Sequence, residues 1–191
     1  IVFGDWSSDV CSSDLVAMEA SSHAIDLHRL DACWMDVAVF TNLTQDHLDY
    51  HGDMARYWAC KQRLFTRHLA EGPKRGRAVA VINRSNAPGR ELAGIVNLRT
   101  LTVGFSGDDD FRADGVACRL DGISGELSTP GGRLPFQSPL VGRHNVENIL
   151  CAAAAAWAIG VPPAAIRSGI AGLRDRKSTR LNSSHRIRSR M

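Results

Sequence analysis

The sequence contains no apolar run near the ~18 residues needed to cross a bilayer. Its longest candidate, Ile149 to Gly160, is short and alanine-rich and reads as a buried helix. No C-x-x-C spacing joins the five cysteines Cys11, Cys33, Cys60, Cys118 and Cys151. That pattern disfavours a zinc cage or a disulfide frame and suits reduced thiols. Residues 1–15 lack the basic start and apolar core of a secretory leader. A cytoplasmic protein with no membrane partner is the expectation from these absences.

A basic surface is also missing from the body of the chain. The net charge of +3 over 191 residues is set by the ends. Residues 175–191 hold Arg176, Lys177, Arg180, Arg186, Arg188 and Arg190 against Asp175, and residues 1–15 hold only Asp5, Asp9 and Asp14, which leaves 16–174 at +1. A nucleic-acid partner is therefore not expected. Both ends are polar and aperiodic: "GDWSSDVCSSDL" (4–15) repeats Ser-Ser-Asp, and "RKSTRLNSSHRIRSR" (176–190) is basic. By composition they are disordered tails. They also resemble translated sequencing-adapter read-through. Residues 1–15 and 175–191 are thus expected to be non-native, and 16–174 to be an internal slice of a longer protein.

What is present between the ends alternates strand and helix. "VAME" (16–19) reads as the end of a buried strand, "MDVAVFTNL" (35–43) as a second strand, and 53–69 as a helix capped by Asp53. "RAVAVI" (77–82) is continuously apolar, as a strand covered on both faces should be. A short helix over 86–96, with Ser85 or Asn86 available as its cap, and a strand over 99–105 follow. This order predicts an α/β fold with a mostly parallel sheet flanked by helices. From Asp110 to Val141, Asp121-Gly122 and Pro130-Gly131-Gly132 mark turns between short strands, so a small antiparallel sheet is expected there. Helices resume at 144–159 and, after Pro162-Pro163, run to about Leu173.

Titratable chemistry collects after the second strand. In "TNLTQDHLDYHGD" (41–53), His47 and His51 stand among Asp46, Asp49 and Asp53. An i, i+4 zinc pair on a helix is disfavoured, because Gly52 and the aspartates make a poor helix and no glutamate follows His47. His23 and His51 stay unassigned. The 53–69 helix carries an apolar stripe of Met54, Tyr57, Trp58, Leu64, Phe65 and Leu69, and Lys61 falls near its middle. Burying an ammonium is costly. Two outcomes are open: the side chain snorkels to water, or desolvation lowers its pKa and the neutral amine reacts with carbon dioxide to give a carbamate. In the second case Glu19, His47 and carbamylated Lys61 would supply oxygen, nitrogen and oxygen ligands suited to Mg²⁺ or Mn²⁺ near nucleotide phosphates, at converging strand ends.

The strings "MEASSHAIDLHRLDACWMDVAVFTNLTQDHLDYHGDMARYWACKQRLF" and "LVGRHNVENILCAAAAAWAIGVP" closely resemble the central domain of the Mur ligases. Within that family they look most like the branch that adds the third peptide residue to the peptidoglycan precursor UDP-N-acetylmuramoyl-dipeptide. The resemblance covers about 16–174. It implies a P-loop-type α/β domain and an ATP- and Mg²⁺-dependent amide-bond ligase working through an acyl phosphate, cytoplasmic and monomeric. The implied partners are a UDP-N-acetylmuramoyl-peptide and an amino acid. By the family pattern Glu19 and His47 are metal ligands, and Lys61 is the carbamylated lysine, both ligand and catalytic group. Ser21 and Arg29 bind the UDP-muramoyl-peptide, and Asn148, with Asn145 one turn earlier, lies near the nucleotide base. The two asparagines could equally cap their helix.

The departures are specific. Leu27 stands where many relatives carry a substrate-binding glutamine, and "NRSNAPGR" (83–90) lacks the aspartate pair usual after its asparagine. The P-loop, G-x-x-x-x-G-K-[ST], is absent and is expected to precede Val16 in the parent. The slice is accordingly expected to have little activity alone. The alternatives are another Mur ligase, a folylpolyglutamate-synthase-like ligase, or a metal-dependent hydrolase built on the histidines.

Overall fold

The computed structural model describes residues 2–4, 15–44 and 48–173. Among these, the strands form one eight-stranded sheet in the order β2-β1-β3-β4-β5-β6-β7-β8. β1 (Val2–Gly4) runs antiparallel to both β2 (Val16–Met18) and β3 (Val37–Phe40). β3, β4 (Val79–Asn83) and β5 (Arg99–Gly104) are parallel. β6 (Phe111–Arg119) joins β5 in parallel, and β7 (Gly122–Thr129) and β8 (Gly132–Ser138) continue as an antiparallel meander.

The apolar runs of β3 and β4 follow from a sheet sandwiched between helices. Val37, Val39, Val79 and Val81 face α5 (His144–Ala158) and α6 (Pro163–Ala171), packing with Ile149, Leu150, Ile166 and Ile170. Their neighbours Ala38, Phe40, Ala80 and Ile82 face the other side and pack with Cys60, Leu64, Phe65 and Leu92. Those residues come from α3 (Met54–Arg63), its π-helical continuation Leu64–Leu69, and α4 (Ala87–Ile95). Alternate side chains leave a strand on opposite faces, so burial of both faces demands an unbroken apolar run.

Local chemistry sets the helix starts. Asp53 caps α3, its Oδ1 accepting from the Arg56 amide at 2.8 Å, and Asn86 caps α4 through the Gly89 amide at 2.9 Å.

Four expectations need correction. The meander at 110–141 is antiparallel as read, but it extends the main sheet through the β5–β6 pairing. β2 alternates between exposed and half-buried residues, because it is the outermost strand. A single helical turn, α2 (Leu48–His51), forms where the aspartates and Gly52 argued against helix. Finally, the expected 53–69 helix is α-helical only to Arg63. α1 (Ser22–Asp26), a short helix capped by Ser21, was not anticipated. Most of the expected tails, including Cys11 and 175–191, lie outside the described residues. Val2–Gly4 at the N-terminal end is a strand.

Candidate functional site

The C-terminal end of β3 opens into a cavity of about 940 Å³. Thr41 and Asn42, just past the strand, form part of its lining. Glu19, following β2, and Lys61 of α3 contribute from one side, and Asn145 and Asn148 of α5 from another. The remaining lining is mainly apolar, with Ala152, Ala153 and Ala156 of α5 beside Ile166 and Ile170 of α6. Parallel sheets bind ligands beyond the carboxyl ends of their strands, and this cavity lies there.

Four expected site residues therefore share one cavity: Glu19, Lys61, Asn145 and Asn148. Lys61 is half-buried, with Nζ 5.7 Å from the centroid of the Tyr57 ring, a favourable place for a cation. The stripe position placed it correctly at an interior-facing edge. Asn145 donates from Nδ2 to the Val141 carbonyl at 2.8 Å and accepts from Asn148 Nδ2 at 3.1 Å. The pair thus organises the start of α5, which has no side-chain cap of its own. Ser21 and Arg29 do not line the cavity. Ser21 Oγ accepts from the Ala24 amide at 3.1 Å, and Arg29 is exposed after α1. His47 lies outside the described residues.

Glu19 is exposed and offers a hard oxygen donor. Lys61 as an ammonium offers none and becomes a ligand only as a carbamate. Both line the same cavity, where Glu19 and a carboxylated Lys61 would be oxygen donors of the kind a hard cation takes. Among the described residues no group of three His, Cys, Asp or Glu side chains is gathered to hold a metal by itself.

His51 sits elsewhere. It is buried, its ring 4.8 Å from Tyr50 and 5.3 Å from Tyr57 between centroids. It lines a smaller recess with Asp26, Tyr50 and Arg63. Hydrogen bonds from Arg63 and then Tyr50 hold the Asp26 carboxyl below its usual range.

A family model described as the Mur ligase middle domain matches residues 9–156. This chain belongs to the Mur ligase family. The UDP-N-acetylmuramoyl-L-alanyl-D-glutamate--2,6-diaminopimelate ligase of Geobacter metallireducens is 50% identical over 157 residues, which is 82% of this chain and 31% of that protein. The enzyme of the same name from Synechococcus elongatus is 47% identical over 146 residues, 76% of this chain and 28% of that one. A solved structure of such a ligase superposes with a TM-score of 0.71 at 31% identity, covering 82% of this chain and 32% of its own. MurF from Acinetobacter baumannii superposes with a TM-score of 0.62 at 26% identity, covering 74% and 30%. The chain spans about a third of the length of the curated relatives it matches.

Two polar groupings of this Mur ligase domain escaped the sequence reading. Asn83, the last residue of β4, is 1% exposed and donates from Nδ2 to the Thr41 carbonyl at 2.8 Å and to Glu147 Oε2 at 2.7 Å. A polar residue ending a buried apolar strand was the available signal. Arg84 pairs with Asp108 and Asp109 across the end of β5. A Ser106 hydrogen bond and Arg84 depress the Asp108 carboxyl to about 2.

Proposed function

We propose that residues 16–174 are the central nucleotide-handling domain of an ATP-dependent ligase. Its reaction would join 2,6-diaminopimelate to UDP-N-acetylmuramoyl-L-alanyl-D-glutamate, the substrates in the names of its relatives. The observation that carries this reading is the gathering of Glu19, Lys61, Asn145 and Asn148 around one cavity at the end of β3.

In this reading the substrate carboxylate attacks the γ-phosphorus of ATP and ADP leaves. The amine then attacks the acyl carbon of the resulting acyl phosphate, loses a proton, and expels phosphate. The domain's own work is placement. Asn145 and Asn148 offer side-chain amides to the nucleotide base, and the N-terminal end of α5 favours nearby negative charge. Lys61, as a carbamate, presents an anionic oxygen beside Glu19. Ser21 and Arg29 face the UDP-muramoyl-peptide, for which a guanidinium suits acidic groups. Glu19, His47 and carbamylated Lys61 would hold Mg²⁺, which offsets charge on the transferring phosphoryl group when bound.

The phosphate-gripping loop and the parts selecting the amino acid are assigned to the rest of the parent protein. That protein is proposed to be a cytoplasmic monomer with no nucleic-acid partner. Among the described residues no helix is long and apolar enough to cross a membrane. The ligase reading is favoured over the hydrolase one because Glu19, Lys61, Asn145 and Asn148 share one cavity, whereas among the described residues no group of three His, Cys, Asp or Glu side chains is gathered to hold a metal.

Two measurements test the proposal. In ¹³C-bicarbonate, the chain should show one carbamate carbon resonance that disappears in Lys61→Ala. In the full-length parent, Lys61→Ala should abolish diaminopimelate-dependent phosphate release from ATP. A carbamate signal unchanged by the substitution, or full activity of the variant, would refute it.

A further inference from the structure

The position of α5 along the sheet sets the cavity wall that carries Asn145 and Asn148. α5 meets the sheet through Val146, Ile149, Leu150 and Cys151 in its first half and through Ala153, Ala154 and Ala155 in its second, while Ala152 and Ala156 line the cavity. Small side chains let a helix approach closely, but they offer shallow ridges to fix its position along its own axis. α5 also starts without a side-chain cap. A directional contact near its first turns would add to the apolar packing of Val146, Ile149 and Leu150 in setting where they stand relative to the end of β3.

Asn83 has the required geometry. Its two amide hydrogens go to two different walls, the Thr41 carbonyl at 2.8 Å on the β3 side and Glu147 Oε2 at 2.7 Å on α5. Its Oδ1 accepts from the Ser85 amide at 3.0 Å, which fixes the orientation of the amide plane. Thr41 is next to Asn42, and Glu147 lies between Asn145 and Asn148; Thr41 and these three asparagines all line the cavity. Gly89 closes the arrangement from behind. A Cβ there would collide with the Asn83 carbonyl oxygen, so only glycine lets α4 pass this close. Buried polar contacts can specify register where apolar packing does not.

We propose that Asn83 and Glu147 are positioning residues that set the register of α5 against β3. They thereby place Asn145 and Asn148 across the cavity from Glu19 and Lys61. The inference rests on the proposed nucleotide role of the two asparagines. Neither Asn83 nor Glu147 lines the cavity; they act through the helix.

A double-mutant comparison tests it. Asn83→Asp sets a carboxylate against Glu147, and Glu147→Gln restores a donor toward it. Amide hydrogen exchange over residues 146–150 of this chain is one readout, and calorimetric titration of the full-length protein carrying the same substitutions with ATP and Mg²⁺ is the other. In Asn83→Asp, exchange over 146–150 should accelerate about tenfold or more while 152–158 keep their protection. ATP affinity should fall by about tenfold. Adding Glu147→Gln should recover most of both losses, and Glu147→Gln alone should resemble the parent, since its Oε1 still accepts. Unchanged exchange at 146–150 in Asn83→Asp, uniform acceleration along all of α5, or no recovery in the pair would overturn the registration role. If exchange behaves as expected but the ATP affinity of the full-length protein does not respond, the nucleotide reading of Asn145 and Asn148 falls and the tie stands as a feature of the fold alone.

Discussion

Arg84 Nε lies 2.7 Å from Oδ1 of Asp109, a carboxylate whose side chain is only 2% exposed. The same carboxylate accepts from the Ser106 amide at 2.9 Å through its other oxygen. A Cβ on Gly104 would intrude on it, so the glycine makes room for the ion pair at the end of β5. Arg84→Ala leaves a buried carboxylate without its cation and should destabilise the chain by about 3 kcal/mol. Removing both charges, in Arg84→Leu with Asp109→Asn, should cost less than the single change. Urea midpoints of the three proteins check this.

The acid limb of stability should report Asp26. Its folded carboxyl titrates below the ordinary value because Arg63 and Tyr50 hydrogen-bond to the charged form. In the window between the folded and unfolded values the unfolded chain binds the extra proton, so stability rises with pH there. The Asp26 contribution is complete above about pH 4 and is lost as pH falls through the folded value. Asp26→Asn and Tyr50→Phe should both flatten this limb in urea titrations between pH 6 and pH 3, the first more than the second.

Gly89 should tolerate no side chain. Gly89→Ala drives a methyl into the Asn83 carbonyl, where the backbone must move, and should cost about 3 kcal/mol. Gly94, on the same helix with open space around it, is the control: Gly94→Ala should be neutral or slightly stabilising. Thermal unfolding of the pair separates a steric effect from helix propensity.

The cap of α3 supports the helix that carries Lys61. Asp53→Ala removes the acceptor for the Arg56 amide and should destabilise by about 1 kcal/mol, whereas Asp53→Ser should retain most of that. Denaturation midpoints of both variants decide it.

Much of the layer structure was legible because it is written in short-range periodicity. The apolar run at 79–82 announced a strand covered on both faces and that at 37–40 a second strand, while Asp53 announced one helix start and Ser85-Asn86 another, with Asn86 supplying the cap. Lys61 could be singled out because it interrupts an apolar stripe, and the structure sets it on the cavity lining with Glu19. Asn83, Glu147, Arg84 and Asp109 were not legible in the same way. Their long-range partners lie 24 or more positions away, with separations of 42 and 64 for Asn83, so nothing within one element's period signals the pairing. The joining of the meander to the main sheet was hidden likewise, since turn residues fix each hairpin but not which edge the first strand meets.

The wide turn at Leu64–Leu69 has a consequence for how this domain tolerates length change. Leu64, Phe65 and Leu69 are all buried, and the π-helical winding holds the first and last of them on one side, five positions apart. Removing one residue from within that turn would let ordinary helix run through while leaving the downstream chain close to its original orientation. This segment is therefore the place in the helix where a deletion can be absorbed by rewinding, while the same deletion nearer Lys61 would swing the lysine itself off its wall.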